Sequence, residues 1–168
     1  MIQHPVITSL GLESFLPYQN SFVTSISSGT WSIANGAMYI GFKVLKPFGY
    51  KQMFVANGSA VSGNVDVGLY TIGGKRIVSS GSTAQAGTNV MQAFDITDGT
   101  LLPGEYFMGI AFDNTTATVL RYVSAVQRQR MSMVYTESSA FPLPATATFG
   151  TAAVINFPLM GITSRTFV

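Results

Sequence analysis

Turn-forming residues recur along this chain at intervals of roughly eight to twelve positions, and that rhythm leaves room for little besides short strands. Ser28-Gly29, Asn35-Gly36, Asn57-Gly58, Ser62-Gly63, Gly73-Gly74, Asp98-Gly99, Pro103-Gly104 and Asp113-Asn114 are the clearest marks. Between them lie runs rich in Val, Ile, Tyr, Phe and Thr, the residues that fit a pleated, half-buried surface. No stretch carries a convincing 3.6-residue apolar period, so the sequence predicts no helix. The expected fold class is all-β: a two-sheet antiparallel β-sandwich, jelly-roll-like, of about eight strands, with extended N- and C-terminal segments.

Alternation within the runs assigns faces. In 64–70, Val65, Val67 and Leu69 share one side while Asp66, Gly68 and Tyr70 share the other, as a strand with one face in a core requires. Thr71-Ile72-Gly73-Gly74 then reads as a tight hairpin, with 75–80 as the partner strand. Residues 105–113 are apolar on both sides, with Met108, Ile110 and Phe112 opposite Phe107, Gly109 and Ala111. This strand is therefore expected to be central, one face in the sandwich and the other against something else. Runs 38–44, 50–56, 89–96 and 118–123 supply further strands, and 152–168 one or two more.

A chain of 168 residues fits one domain of ordinary size. Residues 36–168 are read as a single β-sandwich domain and 1–35, polar and small around isolated apolar residues, as an extended arm or edge strand. Only 10% of the residues are charged, against about 25% in an average domain. A body of this mass exposes on the order of 8,000 Å², so nine Lys or Arg and seven Asp or Glu cover it thinly. Composition therefore favours assembly with neighbours over solitary life. Disorder is excluded by a mean hydropathy of +0.35 and twelve Phe, a collagen-like class by the lack of a three-residue glycine period, and a coiled coil by too few Lys and Glu for its flanking charge ladders.

The sequence pI near 9.0 reflects how few groups titrate. The cations, chiefly Arg121, Arg128 and Arg130 with Lys75-Arg76 elsewhere, do not make a phosphate-binding face, so no nucleic-acid partner is expected. The absence of cysteine removes disulfides, thiol nucleophiles and cysteine zinc sites. No apolar run approaches the roughly 20 residues a spanning helix needs, and no membrane partner is expected. The first residues have no secretory signal pattern.

Catalytic candidates are few. The one histidine, His4, lies on the arm beside Pro5, a poor place for a triad base. The carboxylates Asp98, Glu105 and Asp113 sit at turn marks, where such groups bond local backbone. Asp95 and Asp98 match no defined calcium loop, and Gly73-Gly74-Lys75 lacks the glycine spacing, the Ser or Thr, and the following helix of a phosphate loop. No catalytic, cofactor or metal residues are assigned, and the protein is expected not to be an enzyme. Two aromatics, Trp31 and Tyr70, are candidates for stacking on a sugar or other ligand, against the commoner role of core packing.

Residues 138–150 stand apart. Phe141-Pro142-Leu143-Pro144, followed by small residues and Phe149, favours extended chain without ladder donors at the prolines. Two readings stay open: a strap laid across a neighbouring subunit, or a loop folded back over its own sandwich. On the first, Phe141, Pro142, Leu143, Pro144, Phe149 and the C-terminal Phe167 form an oligomer or partner interface.

The block from Asn57-Gly58 through Asn64-Val65-Asp66-Val67-Gly68-Leu69-Tyr70, the Gly74 hairpin with Ser79-Ser80-Gly81, and Leu102-Pro103-Gly104-Glu105-Tyr106 resembles a β-sandwich module of tailed-bacteriophage structural proteins. It covers roughly residues 55–115, and its motifs mark turns and core positions only. The resemblance implies a non-enzymatic virion component, assembled in the host cytoplasm as a symmetric homo-oligomer, a trimer first, on the capsid exterior or in the tail or fibre apparatus. Its partners would be further copies of itself and other virion proteins, with no cofactor. The alternative is a carbohydrate- or host-receptor-binding adhesin module, with a host surface glycan as partner.

Overall fold

The computed structural model describes residues 6–7, 12–14, 26–123, 134–151, 156–164 and 166. Among them are fifteen strands and no helix. In chain order these are β1 (Val6–Ile7), β2 (Leu12–Ser14), β3 (Ile26–Thr30), β4 (Gly36–Val44), β5 (Phe48–Ala56), β6 (Asn64–Thr71), β7 (Arg76–Ser79) and β8 (Thr83–Ala84). Then follow β9 (Met91–Leu101), β10 (Gly104–Phe112), β11 (Thr118–Val123), β12 (Val134–Glu137), β13 (Gly150–Thr151), β14 (Asn156–Pro158) and β15 (Met160–Thr163).

One sheet runs β13-β12-β4-β10-β6-β7, with β1 on β4 and β8 on β6. A four-stranded sheet, β2-β15-β5-β9, and a three-stranded one, β14-β11-β3, face it. These two adjoin at Leu159, whose N–H donates to Leu120 while its carbonyl accepts from Ala56. Pairing is antiparallel except for β1 on β4. The all-β, stacked-sheet architecture is thus the one the turn rhythm predicts. The expected eight strands become fifteen because several are segments of two to four residues, too short for alternation to reveal.

The core follows from the alternation. Met38, Ile40, Phe42 and Val44 of β4, Val65, Val67 and Leu69 of β6, and Met108, Ile110 and Phe112 of β10 face inward. They meet Met53 and Val55 of β5, Phe94 and Ile96 of β9, and Met160 and Ile162 of β15. In β5 the inward set changes phase, from Phe48 and Tyr50 to Met53 and Val55, because the register with β9 shifts between Tyr50 and Gln52. Such a bulge moves the following side chains to the other face.

That bulge corrects one expectation. Asp98-Gly99 is not a turn; β9 continues through it to Leu101. Gly99 lies opposite Tyr50, and a Cβ there would sit 2.3 Å from the Tyr50 hydroxyl. The glycine therefore admits a tyrosine ring, not a chain reversal. Of the 1–35 segment, β1, β2 and β3 pair with β4, β15 and β11 respectively.

Candidate functional site: the clasped outer face and the two ends of the sandwich

The outward residues of β4, β10 and β6 build a second apolar layer on the far side of the large sheet. Tyr39, Tyr70, Phe107, Ala37 and Ala111 are buried there beneath Ala140, Leu143 and Ala147, with Phe141, Tyr135 and Phe149 packed at the margin. Ring centroids lie 5.1 Å apart for Tyr39–Tyr70, 5.3 Å for Tyr39–Phe149 and 4.6 Å for Phe107–Phe149, within the range of favourable aromatic pairs. Gly109 makes this tiling possible: a Cβ there would come within 3.0 Å of the Tyr70 ring and 3.2 Å of the Tyr39 ring.

Chain 138–149 covers this layer largely without ladder pairing, so its backbone groups need other partners. The Asp66 carboxylate accepts from the Leu143 N–H at 2.9 Å and from the Ser80 hydroxyl at 3.3 Å. Tyr70 donates its hydroxyl to the Pro144 carbonyl at 2.7 Å, and the Arg76 guanidinium donates to the Leu143 carbonyl. The Arg76 N–H donates to Ala145 O at 2.9 Å and the Ala147 N–H to Gly74 O at 2.8 Å. Tyr39 donates to the Glu137 carboxylate at 2.7 Å. Burial pushes the Asp66 carboxyl up, against the pull of the Leu143 N–H, Ser80 and Arg76. Burial likewise raises the Tyr39 and Tyr70 hydroxyls, and the Glu137 hydrogen bond raises Tyr39 further.

Of the two readings of the strap, the loop folded over its own body is the one observed. Leu143 is buried, Phe141, Pro144 and Phe149 are half-buried, and Pro142 alone of the five is exposed. The apolar side chains of the segment thus have an intramolecular face. The stacking assignments are corrected. Tyr70 is 0% exposed and its hydroxyl is committed to Pro144. Trp31 is buried against Phe112, centroids 4.9 Å apart, and its indole N–H donates to Gly36 O at 3.0 Å. Neither offers a ring face to a ligand. Phe167 and His4 lie outside the described residues.

The two ends of the sandwich differ. At the end where β5 finishes and β6 starts, loops are knitted by amides: buried Asn57 donates to Ala86 O and to Gln92, and buried Gln85 donates to Asn57 and to Thr118 O. Asp113 accepts from the Asn64 N–H and side chain at 3.0 Å each. Slight burial raises its carboxyl, but the Asn64 and Asn114 hydrogen bonds outweigh that and hold it below the ordinary range. Asp113-Asn114 thus behaves as the turn chemistry expected. At the opposite end the connections β4–β5, β6–β7 and β9–β10 are short, with Leu45, Ile72 and Leu102 exposed.

Two further carboxylates have partners: Asp95 accepts from Gln52 at 2.6 Å, and Asp98 pairs with Lys51 at 3.5 Å. Among the described residues no three metal-ligating side chains come together. The side chains that hold the strap are Asp66, Tyr70 and Arg76, and the sequence reading assigns none of them to bonding this segment. The usable signal was Asp66 itself, a carboxylate on the outward face of an otherwise apolar strand, which asks for a covering partner. No family model, curated protein or solved structure matches this chain.

Proposed function

We propose that the protein is a non-enzymatic structural component that works by assembly, of the tailed-phage virion type to which its central block is similar, building a symmetric homo-oligomer. The observation that carries this reading is the edge of β9. Among the described residues it is the longest strand, at eleven residues, it pairs with β5 along one side, and no strand pairs the other. Long free edges are templates for strand addition by another chain. Val90 and Met91, at its start, are 49% and 50% exposed, an adjacent apolar pair where a neighbour would seat. The strap is already occupied, so the contact between copies falls on such edges and ends.

A head-to-tail contact of β9 with another free edge, closing after three copies, gives the expected trimer; β9 against β9 gives a dimer. Sedimentation or native mass measurement at micromolar concentration separates these. A discrete oligomer that dissociates when Val90 and Met91 are both changed to Lys, with the melting curve retained, supports the reading. A monodisperse monomer overturns it. Imaging of particles with and without the protein then tests the virion assignment.

A further inference from the structure

Three connections converge at one end of the sandwich. β10 begins between the ends of β4 and β6, with Gly104 opposite Val44 and Tyr106 opposite Thr71, while Leu101 lies opposite Phe48. Leu45, Ile72 and Leu102 are the residues just past these positions, 52%, 50% and 63% exposed. With strands about 4.8 Å apart, the first two turns stand about 10 Å apart with the third between them. A single exposed leucine means nothing; three large aliphatic side chains on three neighbouring turns form a patch.

The turns are held in shape. The Tyr106 hydroxyl donates to Leu102 O at 2.9 Å, the Gly74 N–H donates to Thr71 O at 3.0 Å, and the Lys75 N–H donates to the Thr71 hydroxyl at 3.1 Å. Every lysine of the chain, Lys43, Lys46, Lys51 and Lys75, lies in or within four residues of these connections. Lys51 is paired with Asp98, and Lys43 stands opposite Glu105 in register. Lys46 and Lys75 are exposed and make no ion pair among the described residues.

We infer that this end of the sandwich docks on an anionic phospholipid surface, with Leu45, Ile72 and Leu102 entering the boundary between headgroups and acyl chains and Lys46 and Lys75 meeting lipid phosphates. Charge complementarity selects the occupant. Protein interfaces are depleted of lysine and enriched in aromatics and arginine, whereas here aliphatic tips are fringed by lysines. Single-stranded nucleic acid asks for exposed aromatic platforms, and these tips carry none. An anionic leaflet rewards both elements, apolar burial at the interface and cations at the headgroups. The absence of a long apolar run, from which no membrane partner was expected, bears on spanning helices and not on turns that dip to shallow depth. The inference does not rest on the β9 edge.

The test is co-sedimentation of the full chain with vesicles of phosphatidylcholine alone and with one third phosphatidylglycerol. Binding is expected to the anionic vesicles only, and to fall as salt rises from roughly 0.1 M to 0.5 M. Lys46→Gln with Lys75→Gln should weaken it about 25-fold, about fivefold per lysine. Leu45→Ser with Leu102→Ser should weaken it at least about tenfold, with unchanged melting temperature because both side chains are exposed. No binding to anionic vesicles, equal binding to neutral ones, or wild-type binding by the leucine variant each overturns the inference. So does an oligomer that is lost in the leucine variant without any lipid binding, since the patch then belongs to a contact between copies.

Discussion

The large sheet is apolar on both faces, yet the two layers it supports are built on different terms. The inner layer is dominated by Val, Ile, Met, Leu and Phe brought together by strands from facing sheets, and backbone ladders satisfy the polar groups around it. The outer layer is aromatic and is closed by a segment with almost no ladder of its own. Its cover is held by side chains of the sheet: Asp66, Tyr70 and Arg76 reach out to bond the backbone of 143–144. A buried carboxylate and the buried Tyr70 hydroxyl, which in another setting would suggest acid-base chemistry, here supply hydrogen bonds that an irregular cover lacks.

The largest effect should come from the inner layer. Phe112 is fully buried against Trp31, and Phe112→Ala should cost about 3–5 kcal/mol, the range for deleting a core phenylalanine that neighbours cannot refill. Phe107, its counterpart one residue out of phase, is equally buried but faces the strap. Because a strap can settle into the space more readily than a sheet can, Phe107→Ala should cost less, at the lower end of that range or below it. Equal losses in urea unfolding would erase the distinction between the layers.

Next in size is the clasp. Asp66→Ala leaves the buried Leu143 N–H without an acceptor, at about 1–3 kcal/mol. The loss should be local: amide exchange at Leu143 and Ala147 should speed up while Ile110 and Val67 remain protected. Asp66→Asn keeps an acceptor oxygen and should spare most of this. The same pair of variants carries a pH signature. Burial raises the folded carboxyl above its unfolded value, so the native state binds the proton more tightly. That contribution is complete below the unfolded carboxylate range and is lost as pH rises through the folded value. Stability of the wild type should therefore fall on going up through that interval relative to Asp66→Asn, which lacks the group. A parallel pH profile for the two proteins would show that Asp66 is not desolvated as the clasp requires.

How much of this could be read beforehand divides along the same line. Faces of β6 and β10 follow from alternation of Val65, Val67 and Leu69 and of Met108, Ile110 and Phe112, because a period of two is a local property. That the second face of β10 needs a cover is equally local. What covers it is not, since the Asp66–Leu143 pair spans 77 positions and no window of sequence contains both. The Trp31 and Tyr70 assignments failed for a related reason: an aromatic on a strand face looks the same whether that face meets solvent or a returning loop. Asp98-Gly99 misled because glycine serves turns and close ring approaches alike, and only the partner, Tyr50, tells them apart.

The smallest effect isolates one hydrogen bond. Tyr70→Phe removes the hydroxyl that donates to Pro144 O while keeping the ring that packs at 5.1 Å from Tyr39. The expected cost is about 1 kcal/mol, because the Pro144 carbonyl is only half-buried and can turn to water. If the strap depends on aromatic packing more than on its polar bonds, thermal unfolding will barely register the change. Combined with Asp66→Asn, the two losses should then add, as for independent bonds. If the segment is instead held cooperatively through Asp66, Tyr70 and Arg76 together, the double variant should lose more than the sum, and exchange at 143–147 should approach that of free chain. Either result sharpens the contrast, since neither change touches a residue of the inner layer.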